Sequence, residues 1–299
     1  MKLALITGAS GFLGKFLVNE LTSQYHIHTL GRKKGQTYVT DLSREVPKIP
    51  YQYDLVIHAA AKAHETHATK KDKAAFFEVN EKGTHHLCEA FDAAGQYPKQ
   101  FVFISTVAVY GMECGELINE SAPLKGTSPY AMSKINAELF LQKWCNKNNV
   151  SLTILRLPLI AAPNPPGNLG GMIHAIKRNR YFNIGKGDAK KSVVLAEDVA
   201  AIIPAAADVP GIYNLTDGVH PTMAALAETI TKQLGKKTVG NIPFWLANIL
   251  AWVCDVFGVS YFGTRTLRKI TATLTFDDSR ARHSFAWNPK SVADHLTIN

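Results

Sequence analysis

Cysteine is scarce in this chain of 299 residues. The four cysteines, Cys88, Cys114, Cys145 and Cys254, form no C-x-x-C pair and show no regular spacing. Their arrangement argues against a disulfide framework and against a zinc site built on thiolates. We therefore expect reduced thiols, no bound metal ion and a cytoplasmic location.

Long uncharged apolar runs are also missing. No run reaches the roughly 18 residues that a membrane span requires, so we expect no membrane span. The nearest approach is residues 242–263, which Asn248 and Asp255 interrupt. Its apolar residues predict an amphipathic helix that packs on the fold, and a position on a membrane surface is the alternative. The N-terminal apolar run passes straight into a glycine-rich turn, which argues against a signal peptide.

Acidic residues are outnumbered by basic ones. The chain has 33 lysines and arginines against 24 aspartates and glutamates, a net charge of +9 and a pI of about 9.3. This balance suits an anionic partner such as a nucleotide, a nucleic acid or a membrane surface, and a basic surface without a specific partner is the alternative. Hydrophobic residues make up 46% of the chain, enough for the core of one large domain or two smaller ones.

Short apolar runs alternate with helical patterns through the first half of the chain. Such alternation with short connections predicts a parallel sheet covered by helices on both faces, the doubly wound α/β arrangement of Rossmann-like folds. The predicted strands are KLALIT, HIHTLG, DLVIHAA, QFVFIST and LTILRLPLI, and the predicted helices are KFLVNELTSQ, KGTHHLCEAFDAAG and SKINAELFLQKWCNKN.

The character of the sequence changes at residue 163, where PNPPGNLGG breaks any regular element. We therefore expect a nucleotide-binding domain in residues 1–163, to which a segment at about 190–216 returns. Residues 164–189 and 217–299 are expected to form a smaller C-terminal substrate-binding lobe.

A glycine-rich turn, TGASGFLG, joins the first predicted strand to the first helix. Gly8, Gly11 and Gly14 would allow a tight turn, a close approach to a pyrophosphate and close packing of the helix on the sheet. The helix N-terminus adds free N–H groups and a positive dipole end. This position predicts a dinucleotide site, and a purely structural turn is the alternative. The other predicted cofactor contacts in the turn are Ser10, Phe12 and Leu13.

No acidic residue follows the second predicted strand. NAD-specific folds place Asp or Glu there to bind the ribose 2′-hydroxyl, whereas this chain has Arg-Lys-Lys at 32–34. Arg32 could hold a 2′-phosphate that a carboxylate would repel, so NADP is favoured over NAD. A solvated basic loop is the alternative. The next acid, Asp41, and its neighbour Leu42 are expected at the adenine edge.

Five motifs occur in a fixed order: TGASGFLG, DLVIHAAA, EVNEKGTHHL, FISTVAVYG and SPYAMSK. Together they resemble the extended short-chain dehydrogenase/reductase family, in particular its nucleotide-sugar epimerase, dehydratase and reductase branch. The resemblance covers nearly the whole chain, because TFDDSRARHSFAWNPKS near the C-terminus is also similar to that branch. It implies an NAD(P)-dependent enzyme.

The resemblance implies a catalytic set of Thr106, Tyr130 and Lys134. Tyr130 would be the acid/base, and Lys134 would lower its pKa and bind the nicotinamide ribose. Thr106 would hydrogen-bond the reacting oxygen, with Ser105 as the alternative. Pro129 fits the start of a helix, which would place Tyr130 and Lys134 on one helix face.

Other cofactor residues also follow from the resemblance. Asn80 matches the asparagine of an N-x-x-G-T element beside the nicotinamide, where a structural role is at least as well supported as a chemical one. His58 is expected to be a structural histidine rather than a base, and Tyr110 is expected to form a wall of the pocket. The remaining predicted cofactor contacts are Ala59, Ala60, Ala61 and Pro158.

The implied substrate is a nucleoside-diphosphate sugar. Asn168 occupies the position of a diphosphate and nucleoside contact, and Lys191 stands where the branch usually has an arginine. Arg280 and Arg282 are further candidates, with surface charge as the alternative. The segment LPLIAAP lacks the Tyr-Gly that relatives commonly place before the proline, so the motifs do not define the sugar.

The implied reaction is hydride transfer at the sugar C4. Apolar residues follow Thr106 where a dehydratase of this branch has an Asp-Glu pair, which argues against dehydration. Reduction of a 4-ketosugar and 4-epimerisation with tightly bound NAD remain, and Arg32 favours the reductase. The alternatives of other classes are a non-catalytic NADP sensor, a nucleic-acid-binding protein and a reductase of steroid-like ketones. We expect no nucleic-acid partner, and relatives that pair through the Tyr130 helix imply a homodimer.

Overall fold

The computed structural model describes residues 1–63, 70–257 and 263–298. Within those ranges the strands are β1 Lys2–Thr7, β2 Tyr25–Gly31, β3 Tyr38–Val39, β4 Leu55–His58, β5 Gln100–Thr106, β6 Gly115–Ile118, β7 Ser151–Leu157, β8 Leu159–Ala161, β9 Asn183–Ile184, β10 Val193–Leu195, β11 Gly211–Asn214, β12 Asn241–Ile242 and β13 Leu274–Phe276. The α-helices are α1 Phe12–Leu21, α2 Lys70–Phe76, α3 Gly83–Ala94, α4 Pro129–Lys147, α5 Gly167–Lys177, α6 Ala196–Ala207, α7 Met223–Gln233, α8 Phe244–Val256, α9 Thr264–Thr271, α10 Ser279–Phe285 and α11 Val292–His295. A π-helical turn, Phe77–Lys82, joins α2 to α3, and a 3₁₀ turn, Val107–Tyr110, follows β5.

The central sheet has seven parallel strands in the order β11-β7-β5-β4-β1-β2-β3. The chain runs outward from β1 to β3 and then begins the other half of the sheet at β4. This reversal opens a crevice at the carboxyl ends of β1 and β4, where doubly wound folds bind their ligands. The predicted fold class, a Rossmann-like doubly wound sheet, is confirmed.

Both faces of the sheet are covered, which explains the continuous apolar sequences of its strands. On one face, Leu17 of α1 and Ile203 of α6 are fully buried in the same cluster. On the other face, Leu87 of α3 and Leu141 of α4 are fully buried. Burying one such side chain contributes about 1.5–3 kcal/mol, so the covering helices hold the loops at the sheet edge in fixed positions.

The prediction of one strand over LTILRLPLI was wrong. The segment divides at Pro158 into β7, which belongs to the central sheet, and β8, which pairs with β10 in a separate two-stranded sheet. Proline has no N–H with which to continue a ladder, so a strand is interrupted there. The break directs the chain away from the carboxyl edge of the sheet.

A separate apolar core lies between α5 and α7. Leu169 and Ile173 of α5 belong to one buried cluster with Leu226 and Ile230 of α7. Between these helices the chain returns to the central sheet, because α6 packs on its α1 face and β11 forms its edge strand. The division into a nucleotide-binding domain and a substrate-binding lobe stays a prediction.

The expectation that the apolar residues of α8 pack on the fold was wrong for its large side chains. The residues of α8 that are buried, Ala247 and Ala251, are small and meet Leu267 of α9. Its large apolar side chains are exposed instead. Residues 258–262 of the predicted segment lie outside the described residues. No helix in the described part of the chain combines the length and hydropathy needed to cross a membrane.

Candidate active site

The turn after β1 and the loop after β4 meet at the crevice. Gly8 has φ +72°, a left-handed conformation that favours glycine. A Cβ on Gly8 would lie 2.7 Å from the Cα of Ala60, so a side chain there would push the two loops apart. Ser10 in the turn, and Ala59 and Ala60 opposite, are half-buried, whereas Ala61 is exposed. The glycine thus keeps the floor of the crevice narrow.

Helix α1 begins directly beyond this turn. A Cβ on Gly14 would collide with the carbonyl oxygen of Gly8, so the helix packs closely on the turn. Gly11 donates its N–H to the same oxygen at 2.8 Å and, as the N-cap residue, has no side chain to cap the helix. The first N–H groups of α1, at Phe12 and Leu13, are therefore available to an anion. This geometry fits the pyrophosphate of a dinucleotide.

The loop after β2 presents Arg32 to solvent beside Asp41. Desolvation raises the pKa of Asp41, but hydrogen bonds from Ser43 and the charge of Arg32 outweigh it and hold the pKa below its ordinary value. Leu42 is buried, and its carbonyl accepts a hydrogen bond from His86 Nδ1 at 2.7 Å. The structure therefore brings the predicted 2′-phosphate and adenine contacts together.

His58, at the end of β4, has a structural role, as expected. Its Nε2 donates to the hydroxyl of Thr84 at 2.9 Å, because that hydroxyl gives its own proton to the carbonyl of Asn80. Its Nδ1 therefore accepts from the hydroxyl of Thr7 at 2.6 Å. Burial lowers the pKa of His58 to about 3, so the ring is neutral at physiological pH.

Asn80 lies in the π-helical turn between α2 and α3, and such turns are frequent at functional sites. Its Oδ1 accepts the N–H of Lys62 at 2.8 Å, and its Nδ2 donates to the Lys62 carbonyl at 3.0 Å. Nδ2 also donates to the hydroxyl of Ser133 at 2.9 Å, which donates to the carbonyl of Tyr130 at 2.8 Å. Asn80 therefore ties the loop after β4 to the start of α4.

Helix α4 begins at Pro129 with a well-formed cap. The hydroxyl of Ser128 accepts the N–H of Ala131 at 3.1 Å, and the proline fits the first helical position. Tyr130 then lies in the first turn, and Lys134 lies one turn further along the helix. Residues at this spacing are neighbours on one helix face.

The side chain of Tyr130 lies beside that of Thr106. Thr106 is the last residue of β5, and its Oγ1 accepts the N–H of Ala108 at 3.2 Å. Burial raises the pKa of Tyr130, and the neighbouring side chain of Thr106 offsets only part of that rise. The phenol is therefore neutral near pH 7, which corrects the expectation that Lys134 lowers its pKa.

Lys134 is buried against β5. Its Nζ donates to the carbonyl of Ile104 at 2.8 Å and lies 4.4 Å from the ring centroid of Phe103. Burial lowers the pKa of Lys134 to about 7, although the charge of Glu138 opposes this. Because the ammonium is held against the strand, its charge does not offset the burial of the neighbouring phenol.

Ser105 is engaged by a different network from Thr106. Its hydroxyl donates to the carboxylate of Glu138, and Glu138 forms a buried ion pair with Arg156 at 2.6 Å. Of the two neighbouring hydroxyls at the end of β5, that of Thr106 is therefore the one that acts on Tyr130.

Tyr110 does not form a wall of the pocket, which corrects that expectation. It is fully buried, and its ring stacks on Phe276 with the centroids 5.6 Å apart. Its hydroxyl accepts from Arg156 at 3.1 Å and donates to Asn214 at 2.7 Å. Sequence reasoning missed this network. An arginine inside an apolar strand, together with Glu138 on α4, could have indicated it.

The predicted substrate residues lie in the C-terminal half of the chain. Asn168 is exposed in the first turn of α5, and Pro158 is half-buried between β7 and β8. The Nζ of Lys191 donates to the carbonyls of Lys269 and Ala272, each at 2.7 Å. These carbonyls lie at the C-terminus of α9, where the helix dipole favours a cation.

The two C-terminal arginines have contacts within the chain. Arg282 donates from Nε to Asp278 at 2.8 Å, and the guanidinium of Arg280 lies 5.2 Å from the ring centroid of Tyr213. These contacts favour the alternative that both arginines are structural surface charges.

A cavity of about 320 Å³ opens in the C-terminal half. Tyr181, Phe244 and Ile270 contribute apolar walls, and Lys186 and Asp188 contribute charged groups. Its lining therefore combines apolar and charged side chains. Sequence reasoning missed this cavity. The glycines of NIGKGD are the feature of the sequence that could have indicated it.

Comparison with known proteins identifies the family. The chain matches the profile of the NAD dependent epimerase/dehydratase family over residues 4–216. The N-acetyl-alpha-D-glucosaminyl-diphospho-ditrans,octacis-undecaprenol 4-epimerase of Escherichia coli O157:H7 is 25% identical over 312 residues, which cover 98% of this chain and 92% of the relative. The UDP-glucose 4-epimerase of Thermotoga maritima, solved with UDP-glucose, has a TM-score of 0.74 at 19% identity. The match covers 97% of this chain and 95% of the epimerase chain. RMD from Pseudomonas aeruginosa, solved with NADPH, has a TM-score of 0.73 at 20% identity. The match covers 99% of this chain and 96% of the RMD chain. Because the family profile spans more than half of its length, the chain is an enzyme of the NAD-dependent epimerase/dehydratase family.

Proposed function

We propose that the chain reduces the C4 keto group of a nucleoside-diphosphate sugar with a nicotinamide dinucleotide. Thr106 and Tyr130 lie side by side, with Lys134 buried one turn along α4, and this arrangement carries the proposal. A proton donor and a second hydrogen-bonding group that act on one oxygen are what reduction of a ketone requires.

Each of these residues has a separate role in the proposed step. The neutral phenol of Tyr130 donates its proton to the keto oxygen as the carbon is reduced, and Thr106 hydrogen-bonds the same oxygen. Lys134 would bind the nicotinamide ribose. A reduced nicotinamide, when bound, supplies the hydride.

The crevice between β1 and β4 is the proposed dinucleotide site. The pyrophosphate would lie on the turn at Gly8 and the first N–H groups of α1, with Ala60 opposite and Asn80 holding that loop in place. Arg32 favours NADP, because no acid lies between it and Asp41 to repel a 2′-phosphate.

The remainder of the substrate is proposed to extend into the C-terminal half. Asn168 is exposed there, and the cavity beside Phe244 lies in the same half of the chain. The Thermotoga maritima structure was solved with UDP-glucose, which supports a UDP-sugar as substrate. Lys191 would act on this region by fixing the end of α9.

A 4-epimerase with tightly held NAD is the second candidate function. The names of the Escherichia coli and Thermotoga maritima proteins both describe 4-epimerases. An epimerase must first oxidise and then reduce its substrate, so Tyr130 would both remove and return the proton. Arg32, which suits a 2′-phosphate, favours the reductase.

The bound nucleotide and the course of turnover distinguish the two functions. We expect the purified chain to carry no tightly held NAD and to bind NADPH more tightly than NADH by about tenfold or more. It should oxidise NADPH stoichiometrically when a UDP-4-ketosugar is added. Arg32→Ala should remove the preference for NADPH, whereas Lys33→Ala, in the same loop, should keep it.

Copurified NAD and interconversion of UDP-sugars without net NADPH loss would establish the epimerase. Dinucleotide binding without turnover of either kind would establish a sensor.

We also propose that the chain forms a cytoplasmic homodimer through α3 and α4. Met132 and Leu139 of α4 are exposed apolar residues, and Phe140 stacks on His85 of α3 at 3.8 Å. Light scattering should show a dimer that Leu139→Glu dissociates, and a monomeric wild type would exclude it.

A further inference from the structure

A groove of about 600 Å³, called here the α1 groove, opens between α1 and the loop that follows β2. Lys15 and Asn19 of α1 contribute to one wall. Thr29 of β2 and Gln36 of the loop contribute to the other wall. Among the residues that the structure describes, the lining of the groove contains a lysine and no acidic side chain. Its interior therefore suits an anion that also accepts hydrogen bonds.

One end of the α1 groove lies at the proposed dinucleotide site. Ala9, in the turn that would hold the pyrophosphate, belongs to the lining. Gln36 lies on Gly31, the last residue of β2, because a Cβ on Gly31 would be 3.7 Å from both Cγ and Oε1 of Gln36. Doubly wound folds distinguish a ribose 2′-hydroxyl from a 2′-phosphate at the end of this strand. A phosphate on the ribose 2′ carbon would therefore enter the groove.

The position of Gln36 is fixed through the next residue of the loop. Thr37 donates its N–H to the hydroxyl of Thr29 at 3.1 Å, and Thr29 donates its N–H to the hydroxyl of Thr37 at 3.1 Å. These two hydrogen bonds tie the end of the loop to β2. A ligand thus meets the Gln36 side chain already in position, which lowers the entropic cost of binding.

The side-chain oxygen of Gln36 has no partner within the described part of the chain. Oε1 is buried and accepts no hydrogen bond there. Because burial without a partner removes the hydrogen bonds that water would give, nearly all buried polar groups in proteins are paired. A hydroxyl of an adenosine ribose at the end of β2 would donate the missing hydrogen bond. The unpaired oxygen therefore indicates a ligand hydroxyl at this end of the groove.

We propose that Lys15 and Gln36 make the α1 groove the 2′-phosphate site of NADP. The ammonium of Lys15 binds the phosphate, and Oε1 of Gln36 accepts the neighbouring 3′-hydroxyl of the same ribose. The N–H groups of the Gln36 carboxamide are donors to the phosphate oxygens. Arg32, which is exposed, binds the same phosphate from the solvent side. Both roles rest on the proposed dinucleotide site, to which they add two specificity residues.

Calorimetric titration with adenosine 2′,5′-bisphosphate and with 5′-AMP tests the proposal. The two compounds differ only in the 2′-phosphate, so their comparison isolates the contribution of the groove. The wild type should bind the bisphosphate at least about tenfold more tightly than 5′-AMP. Raising NaCl from about 0.1 M to about 0.5 M should reduce this difference, because the contacts to the phosphate are charged. Neither compound transfers a hydride, so the readout is independent of turnover.

Gln36→Glu tests the carboxamide with almost no change of shape. A carboxylate still accepts from the ribose hydroxyl but repels a phosphate, so the bisphosphate should bind about tenfold or more weakly. Affinity for 5′-AMP should stay within about threefold of the wild type. Gln96→Glu adds the same charge at an exposed position outside the groove and should leave both affinities unchanged.

Lys15→Met tests the cation and keeps an unbranched apolar side chain on α1. The bisphosphate should bind about fivefold to tenfold more weakly, and 5′-AMP should bind as before, because only the bisphosphate carries the 2′ charge. Lys48→Met removes the same charge at an exposed position in another loop and should leave both affinities unchanged. Melting curves show that each variant is folded.

Three results would contradict the proposed roles. A wild type that binds the bisphosphate and 5′-AMP equally would overturn them. A bisphosphate preference that Gln36→Glu and Lys15→Met both retain would also overturn them, while the proposed dinucleotide site would stand. A wild type that binds neither compound would contradict the dinucleotide site itself, and the two specificity residues with it.

Discussion

Glu138 of α4 and Arg156 of β7 form an ion pair at 2.6 Å, with both side chains at most 2% exposed. Glu138 also accepts the hydroxyl of Ser105 and lies one helical turn after Lys134. The pair therefore joins α4, which carries Tyr130, to β7 and to β5, which carries Thr106.

This ion pair predicts a large stability effect from one substitution. Glu138→Gln should lower the free energy of unfolding by about 3 kcal/mol, because it leaves a buried guanidinium without its counter-charge. Urea unfolding followed by circular dichroism measures the loss. The double variant Glu138→Gln/Arg156→Met should recover part of it, because the uncompensated charge is gone. Additive losses in the double variant would contradict this account.

The two neighbouring hydroxyls on β5 should differ in their kinetic effects. Thr106→Val is expected to lower kcat by about 10²- to 10³-fold, because the reacting oxygen loses a hydrogen bond, and Thr106→Ser should retain most of the rate. Ser105→Ala should instead lower the free energy of unfolding by about 1 kcal/mol, because Glu138 loses a donor. Steady-state kinetics with NADPH and a UDP-4-ketosugar, together with urea unfolding, separate the two roles. A larger loss of kcat in Ser105→Ala would assign the substrate oxygen to Ser105.

Gly8 should be essential for dinucleotide binding. Gly8→Ala is expected to weaken NADPH binding by about tenfold or more, because its Cβ would press on Ala60 in a left-handed backbone conformation. Gly171 on α5 is a matched control, since a Cβ there meets nothing within 4 Å. Calorimetric titration should show wild-type affinity for Gly171→Ala, and equal affinity in both variants would argue against the proposed pyrophosphate site.

His58 should make stability depend on pH. Its pKa is about 3 in the folded chain against an ordinary 6.5. Between these values the unfolded chain binds a proton that the folded chain does not, so stability falls as pH decreases through this window. The contribution is fully present above pH 6.5 and changes by up to about 1.4 kcal/mol per pH unit below it. Urea unfolding from pH 7 to 4 should show a shallower slope in His58→Asn, whereas His26→Asn, at an exposed position, should keep the wild-type slope.

The parts of the site that depend on local sequence could be predicted. Gly8 was identified because a left-handed turn after a strand needs glycine, and Pro129 because it fits the first residue of a helix. Both are properties of a few adjacent residues. The partners of His58, in contrast, come from β1 and α3 and could not be read from its surroundings in the sequence.

Two features escaped prediction for different physical reasons. Glu138 and Arg156 are 18 residues apart, and only the packing of α4 on the sheet brings them together. In α8, the apolar period was recognised, but the period alone does not say which side of a helix meets the fold. The alanines at 247 and 251 allow close packing on α9, so the large apolar residues take the outer side.

The central claim is that Tyr130 gives its proton to the keto oxygen of a nucleotide sugar. Single-turnover oxidation of NADPH by a UDP-4-ketosugar, recorded by the loss of dihydronicotinamide absorbance, tests it most directly. Tyr130→Phe should slow this step by about 10³-fold with NADPH affinity unchanged, and Tyr51→Phe, at an exposed position, should match the wild type. A rate for Tyr130→Phe within about tenfold of the wild type would contradict the account.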